Sequence, residues 1–350
     1  MENQRNNSTH ALDILEPGQI ENITCGPSSS ASLHLDKQSQ SKNEQPTSIV
    51  SVRSKRTFEL KNQGSSHSNV KYDKMCVIGL GLMGASLALA VKEAEVVGKL
   101  SGYDIKPAHC DAAVKLDVVK TVSSDIKKSI NGADIIILAT PVSTFSKIIE
   151  VISANIKPGA TIIDLGSTKK TAVDTITPHI PKGVHYVPCH PITGSDKSGP
   201  VAGTASLFSG KKCVITPTSS TNKAAMNKVI ALWESVGSII EMRTSEEHDR
   251  IYAGISHLPQ ILASVLSFIT CAETASNCAG QGYRDMTRLA NSSPEMWEDI
   301  LVENSQEING AIMGFIHQLI TVSEDIENLD RDRISSFLKQ AKKNRAFLDQ

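Results

Sequence analysis

Lys74-Met75-Cys76-Val77-Ile78-Gly79-Leu80-Gly81-Leu82-Met83-Gly84 is the stretch on which the fold turns. Met75 to Ile78 is a short apolar run closed by glycine, the pattern of a buried strand. A Gly-x-Gly-x-x-Gly turn follows at once, and Ala85 to Val97, rich in Ala, Leu and Val, reads as a helix. The three glycines meet separate demands: Gly79 permits the tight turn, Gly81 lets a pyrophosphate approach the backbone, and Gly84 allows close helix–strand packing. The helix start adds free N–H groups and a partial positive charge, which suit phosphate. A Gly-rich hexapeptide also arises by chance, or as a plain βα turn that needs small residues. The strand before, the helix after, and Tyr103-Asp104 twenty residues beyond Gly84 favour a dinucleotide site. The Asp104 carboxylate can accept hydrogen bonds from ribose hydroxyls and repels a 2′-phosphate, which favours NAD. Lys106 nearby softens that preference and keeps NADP as an alternative.

Outward from this turn, strand and helix patterns keep alternating. Val118 to Val122 is a short strand and Asp134 to Ala139 a strong one, ending in Thr140-Pro141. Ala160 to Leu165 ends in Gly166-Ser167-Thr168-Lys169, and Val184 to Val187 leads into the polar loop Cys189 to Pro200. Near-continuous apolar strands alternating with helices define an α/β protein with a doubly wound, mostly parallel sheet. In such sheets ligands sit beyond the carboxyl ends of the strands, so Thr140-Pro141, Gly166-Ser167 and His190-Pro191 are expected to converge on one crevice. The candidate cofactor contacts are therefore Gly79, Gly81, Leu82, Met83, Gly84, Asp104, Thr140 and Pro141. Two more strands, Lys211 to Thr216 and Ser238 to Met242, flank a helix over Thr221 to Val236.

From Thr244 the pattern is helical almost throughout. Thr244 and Glu247 form a capping box that starts a new helix. His248 and His257 lie nine apart on opposite faces of a straight helix. Pro259 removes a backbone bond to Ile255 and predicts a kink beside His257. Arg284 and Arg288 are four apart on one helical face; such pairs are usually solvated but can grip carboxylates as forks. Ser293 caps a helix with Pro294 at its first position and Trp297 one turn in. Long apolar helices after a nucleotide-binding unit commonly dimerise. Three segments are expected: a disordered Ser/Asn/Gln-rich extension over 1–72, a dinucleotide-binding domain over 73–243, and a helical substrate-binding and dimerisation domain over 244–350.

Composition narrows the function classes. A net charge of −1 offers no global field for nucleic acid or an anionic membrane. Seven cysteines without a CxxC pair suggest neither a disulfide framework nor a zinc site, and fit a reducing cytoplasm. No apolar run is expected to span a membrane, no metal ligand set is visible, and the extension lacks the pattern of a secretory signal.

The Gly79–Gly84 turn, Leu165-Gly166-Ser167-Thr168-Lys169, His190-Pro191-Ile192-Thr193-Gly194-Ser195-Asp196-Lys197-Ser198-Gly199, Ser256-His257-Leu258-Pro259, and Arg284-Asp285-Met286-Thr287-Arg288 with Trp297 downstream occur in this order. Together they resemble the prephenate/arogenate (cyclohexadienyl) dehydrogenase family of tyrosine biosynthesis, over about Lys74 to the C-terminus. The resemblance implies a Rossmann-like domain followed by an all-α dimerisation domain. It also implies a homodimer and NAD-dependent oxidative decarboxylation of prephenate to 4-hydroxyphenylpyruvate, with arogenate as an alternative substrate. By the same resemblance, His190 takes the proton from the ring hydroxyl, while Ser167 hydrogen-bonds that hydroxyl and orients the imidazole. Arg288 grips the ring carboxylate, with His257 and Arg284 as further substrate contacts. Asp196 stands where many relatives carry Glu, one methylene longer, which puts a gating pair with Arg288 in doubt. The alternatives are an arogenate-specific enzyme, a related β-hydroxyacid-type oxidoreductase, and a catalytically silent NAD sensor.

Overall fold

The computed structural model describes residues 71–194 and 197–349. The expected disordered extension, up to residue 70, and Asp196 lie outside the described residues. The first strand, β1, spans Tyr72–Ile78. It therefore begins one residue inside the segment assigned to the extension, because the Tyr72 ring is buried in the core.

The chain then runs α1 (Leu82–Glu93), β2 (Val97–Tyr103), α2 (Pro107–Lys115), β3 (Thr121–Val122), α3 (Ile126–Ile130), β4 (Ile135–Leu138), α4 (Phe145–Ile152), β5 (Thr161–Asp164), α5 (Lys170–Ile176) and β6 (His185–Val187). These six strands pair in parallel in the order β3-β2-β1-β4-β5-β6. The order reverses between β1 and β4, so the crevice of this doubly wound, Rossmann-like sheet opens beside the Gly-rich turn. Strand interiors such as Ile135, Ile136, Ile137 and Leu138 are fully buried, because helices cover both faces. Helix α1 starts three residues earlier than its composition suggests, with Gly81 as N-cap. It also ends earlier, since Glu95 turns the chain with φ 57° to feed β2.

His190 does not stand in a loop. After β6, Pro188 offers no N–H for continued pairing, and the chain leaves the parallel sheet. Cys189–Pro191 forms β7, which pairs antiparallel with β8 (Lys212–Ile215), with His190 opposite Val214. Beyond α6 (Lys223–Ser235), β9 (Ile239–Met242) completes this second, three-stranded sheet in parallel with β8.

The helical part opens on the expected capping box: the Glu247 N–H donates to Thr244 Oγ1 at 3.1 Å, and the Thr244 N–H to Glu247 Oε2 at 3.2 Å. Helix α7 (Ser245–Tyr252) widens into a π-turn over Ala253–His257 before α8 (Leu258–Ile269). Pro259 has no N–H for Ile255, so the extra residue is accommodated there. Contrary to the sequence expectation, the combined helix Ser245–Ile269 is long and apolar enough to cross a membrane, with hydropathy 1.3 in its most apolar window. Its His248, Asp249 and His257 are buried within the protein. Helices α9 (Ala272–Cys278), α10 (Gln281–Thr287), α11 (Pro294–Glu303), α12 (Ser305–Glu327) and α13 (Arg331–Ala346) follow. Arg288 begins a 3₁₀ turn over Arg288–Asn291, so Arg284 and Arg288 do not share one regular helix.

A buried ion pair joins the two sheets. Asp164 at the end of β5 contacts the Lys169 ammonium just before α5, both fully enclosed. Tyr186 Oη donates to Asp164 Oδ1 at 2.9 Å, the Cys189 N–H to the same oxygen at 3.2 Å, and Lys169 Nζ to the Cys189 carbonyl at 2.9 Å. Removing one partner strands the other charge in the core. Lys169→Met is expected to cost about 3–5 kcal/mol in urea unfolding, and pairing it with Asp164→Leu to recover a large part of that loss.

Candidate active site

The Gly-rich turn is shaped as a phosphate cradle. Gly79 sits at φ +95°, and a Cβ there would lie 2.6 Å from the Ala139 carbonyl oxygen. At Gly84 a Cβ would lie 1.9 Å from the Gly79 carbonyl oxygen, so helix and turn are in contact. Gly81 is the opposite case: a Cβ would meet nothing within 4 Å, which leaves its backbone open to the crevice. No side chain caps α1 and its first turn holds no acidic residue, so its leading N–H groups suit an anion. These residues fit a dinucleotide pyrophosphate. Asp104 Oδ2 accepts from the Leu80 N–H at 2.8 Å and Oδ1 from the Lys106 N–H at 2.8 Å. The carboxylate thus braces the turn at the position expected to meet a ribose. His109 Nδ1 lies 3.2 Å from Asp104 Oδ2 and lines the crevice, a neighbour not singled out from sequence.

Two adjoining cavities meet at Met83, Ala139, Ser167, Met296 and Ile300. The smaller, about 230 Å³, is lined by Thr140, Pro141, Ser167, Thr168 and Glu303 among others. The larger, about 680 Å³, brings Gly81, Leu82 and Met83 together with Ser167, His190 and His257. The expected convergence of strand ends is therefore present. Arg284 and Arg288 line neither cavity; both are exposed in the protomer and have no ion-pair partner among the described residues.

His190 is half-buried, with one edge on the larger cavity. Its Nδ1 is 2.7 Å from Nε2 of His248, a fully buried side chain on α7. His248 Nδ1 is in turn 2.7 Å from Asp249 Oδ1. The Asp249 carboxylate also accepts the backbone N–H groups of Lys169, at 2.7 Å, and Lys170, at 2.8 Å. Burial holds the His190 imidazole well below its usual pKa, and the neighbouring His248, Lys169 and His257 push it the same way. Burial lowers His248 in the same way and raises the Asp249 carboxyl. The Asp249–His248 pair thus holds the imidazole of His190. In the sequence His248 stands out only by its spacing from His257; its partner lies 58 residues away on β7.

His257 closes the π-turn and is 1% exposed. Its Nδ1 is 3.2 Å from Asn304 Nδ2, and its ring meets Trp297 edge-on at 5.8 Å. Asn304 also donates to the Asp249 carbonyl at 2.8 Å, which ties α7 to the start of α12. An uncharged imidazole beside a dinucleotide cradle can take a proton from a hydroxyl while the carbon bearing it loses hydride.

Cradle, switch-point crevice and buried imidazole define a dinucleotide-dependent oxidoreductase. Residues 87–242 match the family model "Prephenate dehydrogenase, nucleotide-binding domain", and residues 244–340 match "Prephenate dehydrogenase, dimerization domain". The cyclohexadienyl dehydrogenase of Zymomonas mobilis is 30% identical over 283 residues, spanning 79% of this chain and 96% of that protein. The prephenate dehydrogenase of Bacillus subtilis is 32% identical over 280 residues, 78% of this chain and 76% of that one. A crystal structure of A. aeolicus prephenate dehydrogenase with hydroxyphenyl propionate and NAD+ superposes with a TM-score of 0.74 at 32% identity, covering 79% of this chain and 98% of that chain. The chain belongs to the prephenate dehydrogenase family.

Burial lowers the His257 pKa from 6.5 to about 4. A depressed imidazole contributes stability that is complete above its unfolded pKa and is lost as pH falls through the folded value. Unfolding free energy should therefore decline from about pH 6.5 towards pH 4. His257→Gln should remove part of that slope in denaturant titrations at successive pH values, and an unchanged slope would contradict the assignment.

Proposed function

We propose that this chain catalyses the NAD-dependent oxidative decarboxylation of prephenate to 4-hydroxyphenylpyruvate, with arogenate as a second substrate. The observation that carries the reading is the shared cavity: Gly81, Leu82 and Met83 of the cradle and the base His190 line one space of about 680 Å³. Bound NAD supplies the hydride acceptor. Gly79, Gly81, Leu82, Met83 and Gly84 would hold its pyrophosphate and Asp104 its ribose, with Thr140 and Pro141 bounding the inner end of the crevice. Nε2 of His190 takes the proton of the ring hydroxyl as hydride leaves the carbinol carbon. Ser167 hydrogen-bonds that hydroxyl and aligns it with the imidazole. The ring carboxylate then departs as CO2 and the ring becomes aromatic, so no acid is needed for that step. His257 and Trp297 close the far wall of the cavity.

The substrate is a dianion and needs cations. Arg288 is assigned to the ring carboxylate and Arg284 to a further substrate contact. Both arginines belong to a part of the chain with little internal cover: Val265, Phe268 and Ile269 of α8 and Leu319 and Ile320 of α12 are exposed. A homodimer formed through residues 244–350, on a dinucleotide-binding domain of residues 73–243, would bury these faces. A cytoplasmic setting accords with cysteines 76, 110, 189, 213 and 278, which form no disulfide among the described residues.

His190→Asn should lower kcat by about 10²–10⁴-fold with KM little changed, since only proton transfer is removed. Arg288→Ala should instead raise KM for prephenate by about tenfold or more, because a carboxylate loses its fork. Near-normal turnover in the first variant, or a flat KM in the second, would contradict the respective role.

A further inference from the structure

The Asp249–His248–His190 chain is more than packing, and its direction can be worked out from its ends. The Asp249 carboxylate accepts hydrogen bonds from two backbone N–H groups, so its contact with His248 Nδ1 requires that nitrogen to be the donor. A neutral His248 protonated at Nδ1 offers only a lone pair at Nε2. His190 Nδ1, 2.7 Å away, must then carry its own hydrogen, which leaves Nε2 of His190 as the free lone pair. We infer that His248 and Asp249 are positioning residues that lock His190 in the tautomer able to act as base and spread the charge it acquires. The inference rests on the reading of His190 as the base.

During turnover the substrate O–H bond breaks and its proton bonds to His190 Nε2; the O–H electron pair forms the C=O bond as the hydride leaves carbon, with the C–H pair, for the nicotinamide acceptor. The resulting imidazolium keeps its Nδ1–H, now directed at the His248 lone pair and, through that ring, at the Asp249 carboxylate. The groups facing the two rings are Lys169 with its partner Asp164 at the end of β5, His257 at the end of the π-turn, and Tyr252 on α7, which lies near Glu241 and Arg243. His109 and Lys197 line the cavity side. Lys169 is already neutralised by Asp164, so Asp249 is the anion available to the relay. The ring of His248 packs on Tyr252 with centroids 4.5 Å apart, so an aromatic replacement keeps the shape of the site.

The test uses the full-length dimeric or monomeric enzyme as purified, with NAD and prephenate. His248→Phe keeps the ring and removes the acceptor. It is expected to lower kcat by about 100-fold with KM values within threefold, and to move the acid limb of the kcat/KM profile to lower pH, since the imidazolium loses its hydrogen-bond acceptor. His248→Gln restores an acceptor for His190 Nδ1–H and a donor to Asp249, and should stay within about tenfold of the wild type. Wild-type turnover and an unmoved acid limb in His248→Phe would overturn the relay, as would a His248→Gln variant that is well folded yet no better. Independently of any variant, ¹⁵N NMR of the wild-type protein should find His190 and His248 both protonated at Nδ1; an Nε2–H form of either overturns the inference. His190→Asn separates the two claims. If it turns over normally, the base assignment fails; if it is inactive while His248→Phe is normal, only the relay fails.

Discussion

The rest of the molecule depends on where one carboxylate lies. Asp249 sits on the first helix of the helical region and accepts the backbone N–H groups of Lys169 and Lys170, which open α5 of the parallel sheet. Through His248 it also fixes the ring of His190 on the second sheet. One side chain thus joins three structural units and aims an imidazole. Asn304 adds a further tie, bonding the Asp249 carbonyl from the start of α12. Because these groups are buried, each must be satisfied in place, and a shift of any one unit would leave polar atoms unpaired. That requirement turns a stability contact into a constraint on catalytic geometry.

The surroundings also set the charge of His190, the proposed base. Lys169 is fully enclosed only two residues beyond Ser167, and its ammonium would be costly there without the equally buried Asp164. Burial and nearby positive charge keep His190 neutral, ready to accept a proton at ordinary pH. The cradle contributes the complementary half: at Gly81 the backbone is bare, and the helix behind it presents uncapped N–H groups towards an anion. The proposed proton acceptor and the Gly-rich turn are therefore placed by different sheets that face one cavity.

Much of this was legible in the residues. The Gly79–Gly84 turn specifies its own geometry, since a side chain at Gly79 or Gly84 collides with backbone. The Thr244–Glu247 capping box and the break at Pro259 act within a few residues and were readable for the same reason. What escaped was long-range. Pro188 ended the parallel sheet and moved His190 onto a strand of another, a switch decided by pairing with Val214 rather than by local pattern. His248 gained its meaning from a ring on that strand, which no spacing along α7 could signal. Arg284 and Arg288 looked like one helical face, but the helix ends at Thr287 and tightens into a 3₁₀ turn, and both side chains remain exposed.

On the proposed function, hydride loss and decarboxylation occur as one reaction in the cavity between cradle and imidazole. Its most direct measurement is the stoichiometry of CO2 released to nicotinamide reduced when the purified full-length chain is given NAD and prephenate. One CO2 for each reduced cofactor is the predicted result. Cofactor reduction without CO2, or no reduction with either prephenate or arogenate, would contradict the account.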